Sequence, residues 1–303
     1  MLFRSLLVAA AAQRDSAIGF ITETSRIREK PLTFDCQLAV YNFKEALNRN
    51  TVEFYYLLPG KELPLSPADS SSLKLHLFSA FYDANWQEIV KTERDKIIPV
   101  PVSAEEWKKG TAVLVERFSL PVDSVHFEFQ VADGKDKERT LAKGTMEVRD
   151  YGGDKLKMSD ILCCGPIKIS DKATTYRKGA VVYEPHMFYP YRSGSLIGLY
   201  FEVYNLRKKP DNTCQAQITC YLKSVDPNTG LYDLHSAVRF VNLLGKLTAD
   251  ATSSFIYTGE SQDQPFYLNI DIGKRKKGNY QLTIIAQDLL GGETIKTVDL
   301  AIE

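Results

Sequence analysis

Short runs in which apolar and polar side chains alternate recur along most of this 303-residue chain. The clearest run in the first half is 125–131 (VHFEFQV), and a comparable run, 280–286 (YQLTIIA), occurs in the second half. Successive side chains of a strand point to opposite faces, so each run predicts a strand buried on one side. Turn signals separate the strands at a spacing of about 8–12 residues, which is typical of a sandwich of two antiparallel sheets. Helical connections of the kind that a parallel sheet needs are missing, which disfavours a parallel-sheet enzyme fold.

The segment 145–161 (TMEVRDYGGDKLKMSDI) divides the chain into two β-rich halves. Met146 and Val148 alternate with polar neighbours, as a last strand should, and the sequence Tyr-Gly-Gly-Asp at 151–154 then breaks the pattern. We therefore predict an all-β fold of two tandem immunoglobulin- or fibronectin-III-like antiparallel β-sandwich domains. Their predicted bounds are 32–150 and 156–303, joined by a linker at 151–155.

Two shorter features complete the picture of the first half. The polar stretch 42–50 is interpreted as a short helical turn between strands. Ser103 and Glu106 have the spacing of a capping box, which predicts another short helix.

The two halves look like diverged copies of one unit. The sequence VEFYYLLP at 52–59 occupies the place that LYFEVYNL at 199–206 occupies in the second half. FEFQVAD at 127–133 similarly corresponds to LTIIAQD at 282–288. The sequence therefore predicts a tandem repeat.

The N-terminal segment 1–31 carries no clear structural element beyond an apolar start. Its run SLLVAAAA at 5–12 follows a single arginine and has small residues near a possible cleavage point, as in a very short export signal. An ordinary N-terminal segment is the alternative interpretation. No stretch reaches the roughly 20 apolar residues of a membrane-spanning helix.

Composition and cysteine spacing argue against several classes of function. The 38 basic and 38 acidic residues cancel, which removes the main electrostatic argument for a nucleic-acid or anionic-membrane partner. None of the five cysteines, at positions 36, 163, 164, 214 and 220, has zinc-binding spacing. Cys214 and Cys220 fall on one face of a predicted strand, about 20 Å apart, and are interpreted as small buried apolar residues. The neighbours Cys163 and Cys164 should point to opposite faces.

Other polar groups have simple structural interpretations. Asp226 and Asn228 could be read as calcium ligands, but the sequence around them is also a good turn. The basic run Lys-Arg-Lys-Lys at 274–277 is interpreted as a solvated hairpin tip rather than a polyanion site, because interleaved aromatic residues are missing. The four histidines lie far apart, and no His-Glu-x-x-His, Gly-x-Ser-x-Gly or Walker pattern occurs. We assign no catalytic residue, no metal ligand and no cofactor.

Several segments together resemble a bacterial protein family. KMSDI at 157–161, YRKG at 176–179, VYEPHMFYPY at 182–191 and LYFEVYNL at 199–206 resemble the β-sandwich region of GWxTD-motif proteins. VEFYYLLPGKEL in the first half resembles the region that precedes it, so the likeness covers about residues 32–303. The resemblance implies the fold and export to the cell envelope. The Gly-Trp-x-Thr-Asp motif and its C-terminal domain are absent from this sequence, so no catalytic residue is carried over.

The segment 182–192 concentrates aromatic residues around two prolines that keep it irregular. One interpretation is an aromatic patch that binds a protein partner, a peptide or a glycan. The other is a plug for the end of the second sandwich or for its joint with the first. The candidate binding residues are Tyr183, His186, Phe188, Tyr189, Tyr191 and Arg192.

The sequence as a whole predicts a non-enzymatic structural or protein-interaction module, secreted, periplasmic or associated with the bacterial cell envelope. Its partner would be another protein or further copies of itself. The alternative is a carbohydrate-binding or enzyme-accessory module, for which Trp86 and the aromatic residues of 183–191 are the candidates. A third interpretation is an enzyme whose residues come together from distant loops.

Overall fold

The computed structural model describes residues 37–61, 63, 72–100, 103–133, 138–171, 174, 176–225, 236–237, 239–241 and 254–303. These residues divide into two compact units, which we call the N-unit, ending at Asp150, and the C-unit, beginning at Tyr151. The predicted export segment, Cys36 and the turn at 226–230 lie outside the described residues.

The N-unit consists of antiparallel strands and one turn of helix. Its elements are β1 (Gln37–Ala46), β2 (Arg49–Pro59), β3 (Ser72–Tyr82), β4 (Glu88–Pro99), α1 (Ala104–Trp107), β5 (Thr111–Pro121), β6 (Ser124–Asp133) and β7 (Glu138–Glu147). One sheet has the order β1-β2-β5, and the other has the order β4-β3-β6-β7. Neighbouring strands are antiparallel in both sheets.

Local hydrogen bonds explain two of the connections. Asp83 Oδ1 accepts hydrogen bonds from the backbone N–H groups of Asn85 (2.8 Å) and Gln87 (2.9 Å), which fixes the turn between β3 and β4. Glu106 Oε2 accepts from the Ser103 N–H (3.0 Å) and from Ser103 Oγ (2.7 Å) at the start of α1. The predicted capping box is therefore confirmed.

The prediction of a helical turn at 42–50 is wrong. β1 continues to Ala46, and β2 already begins at Arg49. Asn48 has a φ of 60°, a left-handed conformation that asparagine tolerates well, and this allows a tight hairpin. The polar composition of the stretch reflects this hairpin rather than a helix.

A cluster of phenylalanine rings lies at the centre of the N-unit core, between the two sheets. Phe54 on β2 is fully buried at its centre. Its ring centroid lies 4.8–5.9 Å from those of four neighbours, which are Phe81, Phe118, Phe127 and Phe129. The predicted inward face of β2 is confirmed, because Val52 and Tyr56 join the same cluster.

One carboxylate is buried with this aromatic core. Glu116 on β5 is 3% exposed. Ser79 Oγ donates to its Oε2 (2.9 Å), and Arg94 Nε donates to its Oε1 (2.8 Å). β5 and β4 are edge strands of opposite sheets, so the Arg94–Glu116 pair joins the two sheets along one side of the sandwich.

The C-unit contains more and shorter strands. They are β8 (Lys157–Met158), β9 (Leu162–Cys164), β10 (Lys168–Ile169), β11 (Arg177–Lys178), β12 (Val181–Val182), β13 (Leu196–Tyr204), β14 (Cys214–Val225), β15 (Ser236–Ala237), β16 (Arg239–Val241), β17 (Ser254–Gly259), β18 (Gln264–Asp271), β19 (Gly278–Asp288) and β20 (Glu293–Ile302). One sheet has the order β16-β18-β13-β8, with β9 also paired to β13. The other has the order β15-β14-β19-β20, with β17 also paired to β14, and β10, β12 and β11 form a small third sheet.

Aliphatic side chains and thiols fill much of the C-unit core. Cys214 and Cys220 are fully buried on one face of β14, as predicted, with Ala216, Ile218 and Leu222. Cys163 faces the same core, whereas Cys164 Sγ contacts the carbonyl oxygen of Gly198 at 3.4 Å.

The corresponding segments of the two halves lie in strands with comparable neighbours. VEFYYLLP lies in β2, which pairs with a strand on either side, and LYFEVYNL lies in and just after β13, which does the same. FEFQVAD lies in β6 and LTIIAQD in β19, each between two strands of its four-stranded order. Both units are therefore antiparallel β-sandwiches of the immunoglobulin and fibronectin-III-like class.

Candidate functional site

The aromatic segment 182–192 runs between β12 and β13 and closes one end of the C-unit sandwich. Both backbone groups of Tyr191 are hydrogen-bonded. Its N–H donates to Ala301 O (2.8 Å), and its carbonyl oxygen accepts from Glu303 N–H (2.9 Å). Its hydroxyl reaches Cys164 O at 3.4 Å, and the residue is 4% exposed. Tyr191 therefore acts as a plug that connects the end of β20 to the region of β9.

Tyr183 is equally buried. Its N–H donates to Tyr176 O (3.2 Å), and the two rings lie 6.3 Å apart. Burial also raises the pKa of Tyr176. Tyr183 and Tyr191 thus match the structural interpretation of the segment, and their rings do not lie on the surface.

The remaining members are more accessible. Tyr189 is 38% exposed, Arg192 is exposed, and His186 and Phe188 are half-buried. The His186 ring lies 4.5 Å from the ring of Tyr191 and 5.8 Å from that of Tyr189. A ring nitrogen of His186 also contacts Pro190 O at 3.1 Å. The surface offered to a partner is therefore Tyr189 and Arg192, supported from below by His186 and Tyr191.

The residue after Arg192 joins this segment to the basic run at 274–277. Ser193 Oγ donates to Arg275 O (2.8 Å) and accepts from Arg275 N (2.8 Å). The Gly194 N–H donates to Gly273 O (2.9 Å). Sequence reasoning treated these two features separately, because they lie 82 residues apart and no local pattern relates them.

A second aromatic cluster lies on the outer face of β13. Tyr200 and Tyr204 both donate their hydroxyls to the carboxylate of Glu202. The Tyr267 ring packs 5.1 Å from that of Tyr200, and Lys178 Nζ lies 4.5 Å from the Tyr200 centroid, a cation–π distance. The tyrosines and glutamate are mutually satisfied, so this cluster has the character of a packing element.

The buried thiols and the acidic groups are the candidates for nucleophilic and metal chemistry. Burial raises the pKa of Cys163 to about 12 and also raises that of Cys164, so both thiols are protonated at neutral pH and are poor nucleophiles. Within the described ranges, no group of three His, Cys, Asp or Glu residues could hold a metal ion. The described part of the chain also contains no helix with the length and hydrophobicity that a membrane crossing requires.

No protein-family model and no curated protein matches the chain. Solved structures that align with 88% of it include red sea bream transglutaminase (6% identity, TM-score 0.23) and E. coli alpha-2-macroglobulin (8%, 0.26). A third is the C-terminal domain of the Streptococcus pyogenes antigen I/II-family protein AspA, of which 99% is covered (8%, 0.20). The chain spans only 31% and 17% of the first two proteins. Similarity at this level carries no conclusion about function.

Proposed function

We propose that the protein is a non-enzymatic structural or interaction module exported to the bacterial cell envelope, where it displays the Tyr189–Arg192 surface to a protein partner. The supporting observation is the pairing of Tyr191 with Ala301 and Glu303. This pairing holds the exposed neighbours Tyr189 and Arg192 on a fixed backbone. A contact surface that is already ordered loses less entropy when a partner binds.

The assignment to the cell envelope rests on the resemblance to GWxTD-motif proteins, which we propose as the family of this chain. The segments that carry the resemblance also contact one another. The Ser159 N–H donates to Glu202 O (2.9 Å), and the Glu202 N–H donates to Ser159 Oγ (2.8 Å). Asn205 Nδ2 donates to the carbonyl oxygens of Tyr151 (3.1 Å) and Lys155 (2.9 Å). The motifs thus have structural roles, which supports kinship in fold rather than a shared activity.

The test compares the purified chain with a Tyr189→Ala/Arg192→Ala variant in native mass measurements and in pull-down from envelope extract. We expect the wild-type chain to retain one defined partner or to self-associate, and the variant to lose that association. Ile256→Ala is the matched control, because Ile256 is 61% exposed and lies on β17 in the opposite sheet. Equal retention by all three proteins would contradict the assignment to this surface.

A carbohydrate-binding function is the second candidate, and one observation favours it. Trp86, in the turn between β3 and β4, has a φ of 64°, which is strained for a bulky residue, and strain of this kind clusters at functional sites. Its ring stacks on His126 with centroids 4.0 Å apart. Binding on a glycan array that disappears in Trp86→Ala, but not in Tyr189→Ala, would favour this function over protein interaction.

A further inference from the structure

Five cations meet at one end of the C-unit, and we call them the basic pole: Arg192, Lys274, Arg275, Lys276 and Lys277. The reciprocal Ser193–Arg275 hydrogen bonds place Arg192 beside the turn between β18 and β19 that carries the other four. Arg192 lies far from residues 274–277 in the sequence, so it is the fold that brings the five charges together.

The backbone of this turn is firmly held. Tyr280 Oη donates to Lys276 O (2.8 Å), the tyrosine-corner arrangement found in immunoglobulin-like domains. Arg275 Nε donates to Ile272 O (2.7 Å), and the Gly273 N–H donates to Asp271 Oδ1 (2.7 Å). The lysines are therefore carried on an ordered connection between the two sheets of the C-unit. The prediction of a hairpin tip at 274–277 is wrong, because β18 and β19 belong to different sheets.

Four charges of the basic pole have no ion-pair partner among the residues that the structure describes. Arg192, Lys274, Lys276 and Lys277 are exposed, and none of them forms an ion pair with another residue of the described chain. The segments that meet here carry the carboxylates of Glu184, Asp271 and Glu303, so the five cations still outnumber them. The whole chain carries 38 residues of each sign, so general basicity does not explain this local excess.

We propose that the basic pole docks an acidic segment of the partner protein, which deepens the proposed function and rests on it. Exposed lysines on this turn suit an extended chain of carboxylates, since each side chain can follow a flexible partner. A membrane surface fits less well, because Ile272 is fully buried and residues 273–278 expose no apolar side chain as an anchor. A nucleic acid fits less well, because the run has no interleaved aromatic side chains.

The test measures binding of a fluorescent oligo-glutamate peptide to the full chain. The variant is Lys274→Gln/Lys276→Gln/Lys277→Gln. The control is Lys155→Gln/Lys208→Gln/Lys209→Gln, which changes the net charge equally at the other end of β13, about 30 Å away. We expect the variant to bind at least about tenfold more weakly and the control to stay within about twofold of wild type, because each exposed ion pair contributes modestly. Binding should also weaken as salt rises from about 0.05 M to about 0.3 M.

Thermal melts of both triple variants verify that they fold. The inference is overturned if wild type does not bind the peptide, or if variant and control lose affinity equally. It is also overturned if single-stranded DNA or phosphatidylglycerol vesicles bind wild type more tightly than the peptide does. A protein partner that the triple variant retains as well as wild type would overturn the inference while leaving the proposed function standing. A chain that binds the peptide but captures no protein would instead count against the proposed function.

Discussion

The N-unit and the C-unit are both antiparallel sandwiches with similarly placed central strands, but they are stabilised differently. Phe54 of the N-unit and Phe201 of the C-unit occupy the same position of the repeat, and both are fully buried. Phe54 contacts four other phenylalanine rings, whereas Phe201 stacks on Phe266 at 5.2 Å among mainly aliphatic and thiol neighbours. The pattern of apolar positions therefore specifies the sandwich fold, and either aromatic or aliphatic side chains can occupy its core.

The outer faces of β2 and β13 each carry a glutamate that accepts hydrogen bonds from tyrosine, but the other donors differ. In the N-unit, Tyr55 Oη donates to Glu53 Oε2 (2.9 Å), and Arg117 Nε donates to Glu53 Oε1 (2.6 Å). In the C-unit, two tyrosines satisfy Glu202, and no arginine of the described residues pairs with it. A carboxylate that is removed from water, fully as at Glu53 or partly as at Glu202, needs hydrogen-bond donors, and either kind of donor suffices.

The units also close their ends and edges differently. The N-unit uses the Arg94–Glu116 pair between edge strands, whereas the C-unit uses the aromatic segment and the tyrosine corner at Tyr280. The position of the N-unit repeat that corresponds to Tyr280 is Val125, which has no hydroxyl. The function that we propose belongs to the unit in which an inserted segment closes the sandwich.

The largest expected effect is a difference in unfolding free energy between truncations in the two cores. Phe54→Ala should lower the free energy of unfolding by about 3–5 kcal/mol, because it removes a large side chain and several ring contacts. Phe201→Ala is the matched variant and should lower it by less. Both tryptophans, Trp86 and Trp107, lie in the N-unit, so tryptophan fluorescence during denaturant unfolding follows that unit, and far-ultraviolet circular dichroism, to which both units contribute, follows the Phe201 variant. Equal losses would mean that the aromatic cluster adds nothing beyond its volume.

The next effect concerns the pair that joins the N-unit sheets. Arg94→Ala should destabilise the chain by about 1–3 kcal/mol, because Glu116 stays buried with Ser79 as its remaining hydrogen-bond donor. The estimate is modest because the Arg94 side chain is 45% exposed. Lys91→Ala is the control, since Lys91 is also 45% exposed but its partner Glu93 is exposed too, and it should change stability by less than about 0.5 kcal/mol. Urea unfolding measures both.

A smaller effect isolates the tyrosine corner of the C-unit. Tyr280→Phe keeps the buried ring and removes the hydrogen bond to Lys276 O, so it should lower stability by about 1 kcal/mol. Tyr82→Phe serves as the control, because the Tyr82 hydroxyl has no hydrogen bond within the described residues. Calorimetric melting of the two variants compares them. A Tyr280→Phe variant as stable as Tyr82→Phe would show that the corner contributes no stability.

The smallest effect concerns a carboxylate that has no cationic partner among the described residues. Burial raises the pKa of Asp299 on β20, although Gln281 Nε2 donates to it weakly at 3.4 Å. A raised carboxyl pKa means that the ionised form opposes folding, so this penalty is present at neutral pH and disappears as pH falls through the folded pKa. Asp299→Asn should therefore stabilise the chain by a few tenths of a kcal/mol near pH 7 and by nothing at about pH 3. A gain that is the same at both pH values would contradict this account.

Alternating apolar residues predicted the strands well, because the alternation in 125–131 and 280–286 directly reports which face is buried. The hairpin at Asn48 was missed because its conformation depends on backbone φ, which polar composition does not reveal. The aromatic segment was identified, but its two roles could not be separated by sequence. Tyr183 and Tyr191 are buried through backbone pairing with distant residues, and the same kind of pairing brings Arg192 to the basic run.

Site-specific photocrosslinking in the native host tests the proposed display surface most directly. A photoreactive phenylalanine analogue is placed at position 189, and separately at position 256 on β17, a more exposed position in the opposite sheet. We expect position 189 to crosslink one defined protein or another copy of the chain, and position 256 to give no such product. Products from position 256 alone, or none from position 189, would contradict the proposal that this segment binds the partner.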